Sequence, residues 1–95
     1  MMLDKQSVIT ASDDLTFADL DGEAVLLDER EGVYYGLNEV GNRILKLIRQ
    51  PREVEEVLQV VLDEYEVEPN QLRSDVMSFI RTMQEKELIS IVDRR

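Results

Sequence analysis

The apolar positions of this chain change their period at Asn38. Ahead of it they alternate or gather in short blocks, and beyond it they recur every three to four residues. Residues 16–20, 23–28 and 33–37 are short runs rich in β-branched, aromatic and other apolar side chains, bounded by turn residues, which is the pattern of strands. Asp21-Gly22 between the first two runs is a two-residue hairpin signal. Glu29-Arg30-Glu31-Gly32 makes a second polar connection, and the acid run that opens at Asp28 reads as a solvent-exposed turn. Three strands joined this way form an antiparallel meander. Alternation places Val33, Tyr35 and Leu37 on one face, the better core candidate, and Tyr34 and Gly36 on the other.

After Asn38, a residue suited to cap a helix start, three amphipathic stripes follow. Val40, Ile44, Leu47 and Ile48 mark a helix over 39–49. Val54, Val57, Leu58, Val61, Leu62 and Tyr65 mark another over 52–65, with Pro51 just ahead. Leu72, Val76, Phe79, Ile80 and Met83 mark the last over 69–86, which opens on Pro69, and proline suits the first helical turn because its missing N–H is not needed there. Leu88-Ile-Ser-Ile-Val92 alternates briefly, as an extended tail against the core would. The fold class is therefore α+β, a three-stranded antiparallel sheet followed by three helices. No repeat, low-complexity segment or long linker divides the 95 residues, so they read as one domain able to fold alone.

Composition narrows the chemistry. The chain has neither Cys nor His, which removes thiolate nucleophiles, imidazole bases, disulfides and the usual nitrogen and sulfur metal ligands. No catalytic residue, metal ligand or cofactor motif stands out; the 21 acids offer many carboxylate pairs, but no spacing selects one for acid–base work. The N-terminal segment carries Asp4 and Lys5 and no long apolar run, and no stretch reaches the roughly 20 apolar residues of a membrane span. A cytoplasmic protein without a membrane partner is expected.

Charge is uneven: residues 1–37 hold nine acids against two bases, whereas the rest hold twelve against nine. A net charge of −10 repels phosphate backbones and argues against a nucleic-acid partner. That weakens the otherwise reasonable alternative of a winged-helix DNA-binding regulator, because the third helix mixes Arg73 and Arg81 with Asp75 and Glu85 instead of presenting a basic face.

The run Leu20-Asp-Gly-Glu-Ala-Val-Leu-Leu-Asp28, then Gly32-Val-Tyr-Tyr-Gly-Leu-Asn38 leading into Gly41 and Ile44, resembles the PqqD family, the recognition elements for ribosomally made, post-translationally modified peptides. Leu72, Asp75, Val76, Phe79 and Leu88-Ile89 agree with that family's third helix and exit, so the resemblance covers residues 8–92. One departure is Leu45, where many relatives carry Trp. The resemblance implies a winged helix-turn-helix-like domain whose third strand is an edge facing the third helix across a groove. A precursor's leader peptide would add to that edge as another strand, a mode that physics allows because an edge displays unpaired N–H and C=O groups.

On this reading Val33, Tyr34, Tyr35 and Gly36 supply the backbone ladder. Val76, Phe79 and Met83 line an apolar trough, and Asp75 pairs with a basic or hydroxyl-bearing leader residue. The same helical residues also fit an ordinary core stripe. The implied partners are the leader peptide and a separate modifying enzyme. A lasso peptide leader protease is preferred over a radical maturation enzyme of the quinone-cofactor kind, and the lasso assignment implies a leader with a Tyr-x-x-Pro element whose ring fills the trough near Phe79.

Overall fold

The computed structural model describes residues 3–20 and 23–92. Two three-stranded antiparallel sheets accompany three helices. In the first sheet β1 (Val8–Ala11) lies between β5 (Arg52–Glu53) and β6 (Ile89–Val92). In the second, β2 (Leu15–Leu20), β3 (Glu23–Asp28) and β4 (Val33–Gly36) follow one another as a meander, and β4 forms one border. The helices are α1 (Glu39–Leu47), α2 (Val54–Glu64) and α3 (Pro69–Glu85).

The meander and the helices match the sequence pattern, and the Asp21-Gly22 pair expected to turn the first hairpin lies outside the described residues. Between β3 and β4 a four-residue loop closes when the Gly32 N–H donates to the Asp28 carbonyl at 2.8 Å. Gly32 has φ 68°, a left-handed backbone that glycine adopts without a Cβ clash. Asp28 corrects the expectation of an exposed acid run: it is 1% exposed. Its Oδ1 accepts from the Arg30 backbone N–H at 3.1 Å and lies 3.6 Å from the Arg30 guanidinium, so the carboxylate shapes the turn from inside.

Two short strands escaped the periodicity. β1 has only four residues and finds partners more than forty positions away, Val8 opposite Glu53 and Val92, Ile9 opposite Arg52 and Ile91. Pro51 does not open α2 as expected; residues 52–53 pair with β1 first. Glu53 then caps α2 through a reciprocal capping box with Glu56. The other helix starts hold as read: Asn38 accepts from the Gly41 N–H at 2.7 Å, and Glu68 accepts from Asn70 and Gln71 with Pro69 in the first turn. α3 ends in a Schellman arrangement in which Leu88 N–H reaches the Met83 carbonyl and Glu87 N–H reaches that of Gln84, with Glu87 at φ 63°.

The core is assembled by Ile44, Leu45 and Ile48 of α1 and its C-cap, Val54, Val57, Leu58 and Val61 of α2, and Leu72, Val76, Ile80 and Met83 of α3, with Ile9, Ala11 and Ile89 from the first sheet. Leu45 belongs to this core although its position falls outside the expected stripe. Among the described side chains of the meander Leu26 is the one fully buried apolar residue; Leu15, Phe17 and Tyr35 pack on partly. Arg43 forks onto Glu64 at 2.8 and 2.9 Å, tying α1 to α2 and holding the Glu64 carboxyl below its usual range.

Candidate functional site

Hydrogen-bond parity decides which groups β4 leaves free. Val25 lies opposite Gly36, so Ala24 lies opposite Leu37, and the Leu37 N–H does donate to the Ala24 carbonyl at 3.1 Å. Antiparallel pairs alternate between exchanging both bonds and exchanging none. Leu26 with Tyr35 and Asp28 with Val33 are therefore bonded pairs, while Tyr34 and Gly36 turn their N–H and C=O groups away from β3. Among the described residues no strand pairs with β4 on that side.

A cleft of about 120 Å³ opens where the end of β4 meets the helices. Asn38, Val40, Gly41 and Ile44 form one wall, and Leu72, Asp75, Val76 and Phe79 form the other. Gly41 sets their separation: a Cβ there would meet the Phe79 ring at 3.0 Å and Asn38 Oδ1 at 3.1 Å. An added methyl would require the half-buried ring to give way by a few tenths of an ångström. At the opposite end of α3, Lys86 Nζ sits 5.5 Å from the centre of the Tyr35 ring. α3 thus runs beside β4, its Phe79 region near the strand's exit and its C-terminal end near Tyr35.

The residues singled out from sequence divide as follows. Val33 and Tyr34 are exposed, at 41% and 62%. For Val33 this departs from the face expected of it, because the body covers Tyr35 and Leu37 but not the strand's first residue. Tyr35 is half-buried against the core and Gly36 is open. Asp75, Val76 and Phe79 come together in the cleft wall, with Asp75 Oδ1 accepting from Gln71 Nε2 at 2.9 Å. Met83 does not join them; at 7% exposure it stands in the core stripe with Val76 and Ile80. Reasoning from sequence passed over Asn38 and Gly41 as wall residues and Lys86 altogether. The spacing of Asp75, Phe79 and Lys86, at four and eleven positions, was the available signal. Among the described residues no group of His, Cys, Asp and Glu is placed to hold a metal ion, and no helix is long and apolar enough to cross a membrane.

A meander with an open border beside a C-terminal helix is the arrangement of the PqqD class. The family model described as Coenzyme PQQ synthesis protein D (PqqD) matches residues 23–89, and the chain belongs to the PqqD family. Among solved structures it is similar to TbiB1 in complex with the TbiA(beta) leader peptide, with 33% identity, TM-score 0.73, and coverage of 90% of this chain and 99% of that one. It is also similar to a lasso peptide synthetase B1 complexed with the leader peptide: 26% identity, TM-score 0.71, coverage 86% and 96%. A third likeness, to the PqqD truncation of Methylobacterium extorquens PqqCD, a stand-alone recognition element for such modified peptides, is one of fold: 15% identity, TM-score 0.75, coverage 94% and 95%. No curated protein matches the chain.

Proposed function

We propose that the chain binds the leader segment of a ribosomally made precursor peptide as an added strand on β4 and delivers it to a separate processing enzyme, a lasso peptide leader protease. The observation that carries this reading is the free row of Tyr34 and Gly36 backbone groups beside the Phe79 side of α3. Main-chain bonds to that row supply affinity, and the cleft supplies selection. Within Val33 to Gly36, Tyr34 and Gly36 supply the ladder bonds, Phe79 meets an apolar leader side chain with Val76 buried behind it, Asp75 receives a donor, and Met83 supports Phe79's helix from behind. TbiB1 and the lasso peptide synthetase B1, both similar over most of this chain, are each complexed with a leader peptide, which supports the same role here. The protein acts in the cytoplasm by binding, not as an enzyme. Membership of the PqqD family supports a second reading, a peptide chaperone for a radical maturation enzyme, which would use the same groove.

Fluorescence polarisation with a labelled leader peptide carrying the Tyr-x-x-Pro element tests the proposal. Wild type binds, and Tyr34→Pro, which deletes one outward N–H, lowers affinity roughly tenfold while leaving the melting transition in place. Equal affinity of the two proteins would remove strand addition at β4. Adding the candidate protease or radical enzyme and following leader removal or modification by mass spectrometry separates the two readings.

A further inference from the structure

The exposed ridge of α3 carries opposite charges at its two ends. Asp75, Phe79, Thr82 and Lys86 lie four, seven and eleven positions along from Asp75, so they follow one side of the helix. Leu72, Val76, Ile80 and Met83 occupy the adjoining side and are buried. Asp75 lines the cleft at the exit of β4, and Lys86 reaches the Tyr35 ring. Neither has an ionic partner among the described residues: Asp75 takes only an amide hydrogen bond from Gln71, and Lys86 contacts only the face of an aromatic ring. Elsewhere Arg30, Arg43, Arg52 and Arg73 each sit within 4 Å of a carboxylate. Lys46 and Arg81 also lack a carboxylate partner among the described residues; what sets Lys86 apart from them is its place over Tyr35 of the border strand.

The spacing fits an extended peptide. Eleven helical residues rise about 16 Å, and about five residues of extended strand cover the same length. A strand added to β4 in the antiparallel sense enters at the Asp75 end and leaves at the Lys86 end.

We infer that the groove reads the charge order of its ligand: a basic residue facing Asp75 and, about five positions later, an acidic residue facing Lys86. This rests on the strand-addition reading above and adds to it a direction and a register. Charge pairs at such half-exposed positions contribute modestly to affinity but strongly to the choice between orientations. Lys86 is thus a specificity-determining residue whose partner is a Glu or Asp of the bound strand.

The test uses two labelled synthetic dodecapeptides of identical composition, built on a Val/Thr-rich extended sequence with a central Tyr, one with Lys five positions ahead of Glu and the other with the two exchanged. Polarisation titrations at low salt should favour the Lys-first peptide by roughly 3- to 10-fold for wild type. Lys86→Glu combined with Asp75→Lys should reverse the preference, and ~0.5 M salt should erase it in both proteins. Lys86→Met, which keeps the stem, should lower the preference without changing the melting transition. Equal binding of the two peptides by wild type, or an unreversed preference in the double variant, would overturn the charge reading while leaving strand addition standing. Absence of binding to both peptides and to the Tyr-x-x-Pro leader peptide would overturn strand addition and the charge reading together.

Discussion

The helical body and the meander are held together in different ways. In the body, three helices and β1 close over a continuous set of aliphatic side chains, many with no exposure at all. Among the described side chains of the meander Leu26 is the one fully buried apolar residue; Leu15, Phe17 and Tyr35 pack on partly, and polar devices add to the fastening: Asp28 inside the turn, and Arg30, whose guanidinium lies 3.5 Å from Asp14 and donates to the Glu87 carbonyl at 3.2 Å. Most buried aliphatic packing thus lies in the body, and the sheet with the open border β4 is joined to it by fewer buried apolar side chains. A border strand that must accept a partner has little room for a cover of its own.

The sharpest contrast is between Ile44 and Val25. Ile44→Ala empties a fully buried site in the body and should cost about 3–4 kcal/mol in denaturant unfolding. Val25→Ala, on the meander face that no core residue covers, should cost under ~1 kcal/mol. Equal costs would erase the distinction. Next comes Gly41→Ala, where helix propensity gains up to ~1 kcal/mol but the new methyl presses on Phe79 and on the Asn38 cap. A net loss of about 1 kcal/mol with displaced Phe79 ring resonances in NMR is expected; a net gain would show that the ring moves freely.

Arg30→Ala should cost about 1 kcal/mol, because it removes a half-exposed side chain that bridges loop and helix end. Hydrogen exchange should accelerate in β3 and β4 while α1 and α2 stay protected. Glu87→Gly should gain up to ~0.5 kcal/mol, since glycine meets a φ of 63° without the Cβ penalty and the carbonyl that Arg30 uses is retained. The smallest effect concerns pH. Arg43 holds the Glu64 carboxyl below 4.5, so its contribution is present above that value and fades as pH falls through the lower folded one. Thermal melts of Glu64→Gln should lack that part of the acid dependence.

Local patterns made most of the fold legible: the cap at Asn38, Pro69 in a first helical turn, helical stripes, and alternation in the meander. What escaped depended on distant partners. Ile9 and Ala11 have no periodic context and become strand residues because Ile91 and Ile89 come to lie opposite them. Arg52 and Glu53 follow a proline as helix residues often do, yet β1 claims them first. At the site the open border could be anticipated from the order of the strands. That Met83 would be buried and Lys86 exposed could not, since a difference of three positions turns a side chain from interior to surface only once the helix's rotation against the body is fixed.

Asn38 closes this comparison at a single joint. Leu37 is still paired to Ala24, Asn38 already bonds the amide of Gly41, and nothing but these two residues separates β4 from α1. The border strand and the α1 wall of the cleft are therefore joined by two residues of continuous chain. If a leader adds to β4 as proposed, this short joint leaves less of the host to order on association.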